Sequence, residues 1–222
     1  MRRTKAEAEE TREAILDAAE MVFLEKGVNQ STLNQIAERA GVTRGAIYFH
    51  FKDKIEVYQE IVERIRLPQD DLVAEAFYCE DSNPLDVVLD AGIFVLKNFS
   101  KDQRQQRVFT IMSQRCEYVG EMERVLHRQR VADEEVHQML LRLMTLAKKR
   151  GVFSSGWTPE LAARALQCTV AGLLYEWLRA EKTFDLVKAG TKTITAIVNS
   201  LRKGEASSST HAPTAVKQVI AS

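Results

Sequence analysis

Helical periodicity with few interruptions is the feature that most constrains this chain. From Lys5 onward apolar residues recur at intervals of three and four, and the 222 residues contain only 4 prolines and 10 glycines to break the pattern. No convincing period-two run occurs. In the first segment, Lys5 to Lys26, Ile15, Ala18, Ala19, Val22 and Phe23 stand at i, i+3, i+4, i+7 and i+8. That is the stripe of a half-buried helix, and Gly27 follows where a helix end favours it. Thr32 with Gln35 three residues later forms a capping box that opens a short helix with Leu33, Ile36, Ala37 and Ala40 inward. Gly41 closes it, Thr43 can cap the next helix, and Ile47 and Phe51 form that helix's buried side. Asp53 and Glu56 repeat the capping pattern before a longer helix with Ile55, Tyr58, Ile61, Val62 and Ile65.

Pro68 interrupts this fourth helix, because it lacks an N–H and crowds the carbonyl four residues before it. The pattern resumes at Leu72 and stops near Glu80-Asp81-Ser82-Asn83-Pro84. Five more stripes follow: Leu85 to Phe99, Val108 to Cys116, Met122 to Lys149, Pro159 to Ala180 and Leu186 to Leu201. Ser100-Lys101-Asp102, Val119-Gly120, Gly151 to Thr158 and Thr183 separate them. The expected fold is all-α with about nine helices. A helix-turn-helix unit over 1–66 is followed by a helical bundle over 67–203 and by a disordered tail over 204–222, rich in Ser, Thr and Ala.

Composition narrows the function classes. With 31 Lys+Arg against 31 Asp+Glu the net charge is zero, which excludes a globally basic polyanion binder. Cys79, Cys116 and Cys168 are an odd number without Cys-x-x-Cys spacing, as expected of reduced thiols in a cytoplasm. The charged start carries no apolar segment of a secretion signal, and no run approaches the roughly 20 residues of a membrane span. A soluble cytoplasmic protein without membrane contact is expected.

Two short capped helices joined by Ala40-Gly41-Val42 have the pattern of a helix-turn-helix, whose turn commonly holds a glycine. The run from Leu33 to Lys54, LNQIAERAGVTRGAIYFHFKDK, resembles the DNA-binding signature of the TetR family of bacterial transcriptional repressors. The resemblance covers residues 12–66, and Tyr48-Phe49-His50-Phe51-Lys52-Asp53-Lys54 is its most specific part. Arg2-Arg3-Thr4-Lys5 and Arg115-Cys116-Glu117-Tyr118 resemble the AcrR-type repressors of multidrug efflux pumps. The chain departs from the pattern at Phe49, where many members carry Trp or Tyr; a phenyl ring cannot donate a hydrogen bond.

The chemistry of the stretch is consistent with this. Thr43 can cap the recognition helix and offer its hydroxyl to a phosphate, and Arg44 has the fork that reads guanine O6 and N7. Gly45 costs roughly 1 kcal/mol inside a helix, which close approach of backbone to DNA would explain. Tyr48, Phe49 and His50 project from a helix already anchored by Ile47 and Phe51, and Lys54 adds a cation beside the backbone. The expected DNA contacts are Thr32, Thr43, Arg44, Gly45, Tyr48, Phe49, His50 and Lys54. Plainer roles stand beside these: Arg44 and Lys54 as ordinary surface charges, Tyr48 as core, His50 as a solvated histidine. Residues 1–66 carry 11 cations and 12 acids, a net of −1, but Arg39, Arg44, Lys52 and Lys54 oppose only Asp53 between 39 and 54. Arg2, Arg3 and Lys5 form an arm that can lie along the DNA backbone. So few cations ask for two copies on the duplex.

The resemblance implies what the bundle is for: a homodimer built on the last two helices, and a site for a small apolar effector. The expected dimer contacts are Ala165, Thr169, Gly172, Leu173, Ile194, Ile197 and Leu201. The expected effector lining is Val95, Phe109, Met112, Ser113, Cys116, Val136, Met139, Leu140, Val170 and Leu174, with Phe77, Phe94 and Met144 near it, a soft methionine-bearing surface suited to loosely specified ligands. These same stripes could be plain core. The effector would shift the spacing of two recognition helices away from one turn of DNA, with the fourth helix as lever and Pro68 as its bend. No cofactor or metal is expected and the chain is read as a non-enzyme. Two alternatives stay open at this level: a thiol redox sensor using Cys116 or Cys168, and a di-iron bundle, for which Glu134-x-x-His137 supplies one of the two motifs needed. In the plainer reading Glu134 and His137 lie on a solvated face.

Overall fold

The computed structural model describes residues 5–65 and 82–203. Arg2 and Arg3, the bend expected at Pro68, Leu72, Phe77, Cys79 and the tail from Gly204 lie outside the described residues. Within them the chain forms nine α-helices: α1 (Lys5–Lys26), α2 (Leu33–Arg39), α3 (Arg44–His50), α4 (Lys54–Glu63), α5 (Pro84–Lys101), α6 (Gln103–Gln114), α7 (Glu123–Lys149), α8 (Pro159–Arg179) and α9 (Leu186–Leu201). One 3-10 turn (Gly120–Met122) precedes α7. The β-structure among the described residues is a single isolated bridge, Phe153 to Arg202, which closes the chain after α9 onto the loop after α7. No helix of the described residues is long and apolar enough to cross a membrane.

Local chemistry sets the helix starts. Thr32 accepts from Gln35 N at 3.3 Å while the Gln35 side chain accepts from Thr32 N at 3.1 Å, so each satisfies an otherwise orphaned amide. Thr43 caps α3 and Asp53 caps α4. The break expected over Ser100–Asp102 is a single residue: α5 runs through Lys101, and Asp102 both ends it and caps α6 by accepting from Arg104 N and Gln105 N.

The helices enclose two cores. The first gathers α1 to α4 around Phe23, Phe51 and Tyr58, and it takes in Val108 and Ile111 of α6 together with Met122 and Val125. The second is built from α5, α7, α8 and α9 around Leu96, Phe99, Trp177 and Ile194. The first core is therefore not built from α1 to α4 alone, because α6 joins it. Polar bonds follow the same line. Glu20 of α1, 1% exposed, meets Arg64 of α4 at 3.3 Å, Arg104 of α6 at 3.3 Å and Arg107 of α6 at 3.1 Å. Asp17 binds Arg64 and Arg104 at 2.9 and 2.7 Å, and Glu13 binds Arg64.

In the second core α9 lies against α5 with almost nothing between. A side chain at Gly190 would collide with Leu96, and one at Gly92 would stand 3.1 Å from Ile194. This corrects two of the expected dimer contacts: Ile194 and Leu201 are 1% and 0% exposed and fill the protomer's own interior.

Candidate nucleic-acid interface

The turn between α2 and α3 needs a left-handed residue, and Gly41 takes φ +66° there while Val42 N donates to Ala37 O at 3.0 Å. Ile36, Ala37, Ile47 and Phe51 anchor both helices from beneath. Thr43 Oγ1 accepts from Ala46 N at 3.2 Å, so α3 starts abruptly and its first turn faces outward.

The outer face of α3 carries the side chains expected on it. Arg44 is exposed with its guanidinium over the Tyr48 ring, 5.6 Å from the centroid. Tyr48 is 47% exposed and Phe49 79%, the latter edge-on to His50 at 5.1 Å. Burying a phenyl ring is worth about 1.5–3 kcal/mol, so one left in water on a seven-residue helix has no folding rationale. Gly45 is equally unexplained from within: an added Cβ would meet only Thr43 Oγ1, at 3.9 Å. The protein has room for a side chain there. Thr32 is exposed at the start of α2 and engaged in its capping box.

Two of the four expected cations have other partners. Arg39 holds both oxygens of Glu25 at 2.8 Å. Lys54 donates its ammonium to the carbonyls of Asn29 and Ser31, at 2.7 and 3.2 Å, beneath the loop that leads into α2. Arg44 and the exposed Lys52 keep their charge on the outer side.

The expected effector lining divides between the cores. Met112 and Cys116 pack on the first, whereas Phe109, Met139, Leu140 and Val170 border the second and Leu174 is buried within it. Val95 and Val136 are half-buried. Ser113 is exposed, and its hydroxyl bonds back to Phe109 O at 2.7 Å as helical serines do. His137 overturns the solvated-face reading: it is 8% exposed, and its Nδ1 is a buried polar atom without a partner among the described residues. Sequence reasoning missed it because Glu134 and Glu135 flank it, although its spacing to Leu140, Leu141 and Met144 places it on the apolar side of α7.

On the outer side of α8, Leu161 and Tyr175 are 61% and 41% exposed, and Gly172 has open space around it. Ala165, Thr169, Leu173 and Ile197 are half-buried. Burial pushes the Cys116 thiol above its ordinary range, which disfavours the thiolate that a redox sensor uses. Among the described residues no three His, Cys, Asp or Glu side chains come together as metal ligands would.

Residues 15–61 match the family described as bacterial regulatory proteins, tetR family, and residues 83–203 match the C-terminal region of MAATS-type transcriptional repressors. The HTH-type transcriptional repressor BepR of Brucella suis biovar 1 is 51% identical over 202 residues, covering 91% of this chain and 97% of its own. Among solved structures, NalD, the secondary repressor of the MexAB-OprM multidrug efflux pump in Pseudomonas aeruginosa, superposes with a TM-score of 0.81 at 33% identity, over 89% of this chain and 98% of that one. SmeT in complex with triclosan gives 0.76 at 30% identity, over 94% and 99%.

Proposed function

Because the chain belongs to the tetR family of bacterial regulatory proteins, we propose that it represses a multidrug efflux operon and is released from its operator by a hydrophobic small molecule. The observation that carries the DNA half is the outer face of α3, where Arg44 lies over Tyr48 beside an exposed Phe49 and an unfilled Gly45. A guanidinium can hold guanine O6 and N7 together, aromatic edges fit thymine methyls and sugars, and an uncovered backbone lets the helix sit deep in the major groove. Thr43 serves twice, by capping α3 and by turning its hydroxyl toward a phosphate. Lys54 acts from behind, because its ammonium fixes the loop from which α2 begins.

One copy brings too few outward cations for stable binding, so the functional unit is a homodimer. The exposed side of α8, with Leu161, Gly172 and Tyr175, is the surface that pairs it, and a glycine in open space allows the partner helix close. The effector lies among Phe109, Met139, Leu140 and Val170, and the Nδ1 of His137, buried without a partner among the described residues, is its polar contact. The protein works in the cytoplasm, where its DNA is.

Titration of labelled DNA from upstream of the chain's own gene tests both halves. The protein is expected to bind as a dimer in the range of about 10⁻⁸–10⁻¹¹ M, with a salt slope reflecting roughly 6–10 phosphates, and to release the DNA on addition of triclosan. Equal affinity for unrelated DNA would refute the DNA reading. Specific binding that neither triclosan nor a panel of dyes and antibiotics weakens would refute the effector reading.

A further inference from the structure

The segment that leaves α6, residues 115–118, is bonded to the turn between α1 and α2 by one side chain and one backbone bond. Asn29 Nδ2 donates to Glu117 O at 2.9 Å, and Glu117 N donates to Asn29 Oδ1 at 2.9 Å. A primary amide thus holds both polar groups of a single residue's backbone, as a neighbouring strand would. Asp lacks the donor, and Gln is one methylene too long for the same fit. Val28 N donates to Arg115 O at 2.8 Å, and Gly27, at φ +78°, lets that carbonyl approach. Tyr118 gives its proton to Met112 O at 2.8 Å, so in the 2.9 Å contact with Tyr58 of α4 it is Tyr58 that donates.

Asn29 also faces the reading head. Its own carbonyl accepts from Lys54, the first residue of α4, and Lys54 holds the carbonyl of Ser31, the residue before the Thr32 cap of α2. One residue therefore joins the end of α6 to the starts of both α2 and α4. Near its start, α6 is tied to α1 by Arg104 on Asp17 and by Arg107 on Glu20. These bonds fasten α6 to α1 along its length.

We propose that segment 115–118 is the element through which α6 sets the position of the helix-turn-helix, with Asn29 as its positioning residue. A ligand or mutation that displaces the end of α6 carries 115–118 with it, and the α1–α2 turn follows because its amide bonds leave no slack. This route runs through α1 and the start of α2 and does not require α4 to act as a lever. Its regulatory meaning rests on the DNA-binding function proposed above.

The test uses the full chain without DNA or effector, so its failure and the failure of the operator reading are separable. Phe109 lies on α6 and packs on the second core, edge-on to Phe99 at 5.5 Å and away from the helix-turn-helix. In Phe109→Leu, amide hydrogen exchange at Val28 and Ile36 is expected to quicken by about fivefold or more, the lower range of ordinary coupling, while Arg64 at the end of α4 changes less than about twofold. In the Asn29→Asp background the effect of Phe109→Leu on Ile36 is expected to vanish. If Asn29→Asp does not fold, Glu117→Pro removes the N–H on the other side of the clamp and must give the same result. Transmission that survives loss of the clamp, or that reaches Arg64 and not Ile36, would overturn the proposal.

Discussion

Replacing Arg44 and Tyr48 together by alanine is expected to weaken operator binding about a thousandfold while leaving the fold intact. Both side chains are exposed, and their mutual contact is a cation over a ring in water, so the free protein loses little with them. On DNA the loss is different in kind. A bidentate contact to guanine discriminates by about 1–3 kcal/mol, and a symmetric pair makes it twice, which places the total at roughly 2–6 kcal/mol. Binding to unrelated DNA, which rests on phosphates, should fall far less. A specificity ratio near one in a protein with unchanged thermal unfolding is the signature to look for. A uniform loss on all DNA would mean that Arg44 is only a phosphate contact.

The largest effect on stability is expected at Glu20. Its carboxylate is 1% exposed and receives three guanidiniums, from Arg64, Arg104 and Arg107, whose side chains are 12%, 41% and 31% exposed. Removing one partner of a fully buried pair costs about 3–5 kcal/mol, because the other charge is left uncompensated. Here the two arginines of α6 can turn toward water, and Asp17 and Glu13 still serve Arg64, so the lower figure of about 2–3 kcal/mol applies to Glu20→Ala. For a domain of this size that corresponds to a fall in Tm of roughly 4–12 °C. Since Glu20 is where α1, α4 and α6 meet, the loss should be concentrated in the first core. A neutral substitution would show that the cluster contributes nothing beyond surface pairing.

What could be read from the sequence divides along a physical line. Cap chemistry is local, so Thr32 with Gln35, Thr43 and Asp53 announced the starts of α2, α3 and α4, and each side chain accepts the amide expected of it. The outward face of α3 was legible for the same reason: Ile47 and Phe51 fix which side is buried, and Arg44, Tyr48 and Phe49 must then point away. Partner choice is not local. The stripe on α9 shows that Ile194 and Leu201 are buried but not against what, and the covering helix is α5, admitted by Gly190 and Gly92. His137 was misjudged because its charged neighbours in sequence lie on another side of α7. Lys54 looked like a phosphate contact beside the motif, yet its ammonium is drawn under the loop by two carbonyls. Asn29 gave no signal at all: an asparagine in a turn looks like any other, and its partner is 88 residues away.

The central claim is that α3 of each protomer occupies a major groove. Methylation interference on the bound DNA measures this directly, since a methyl at guanine N7 projects into the major groove and one at adenine N3 into the minor. Interference is expected at guanine N7 in two clusters about one helical turn apart, roughly 34–36 Å, and it should disappear in Arg44→Ala. A single cluster, or interference confined to adenine N3, would contradict it.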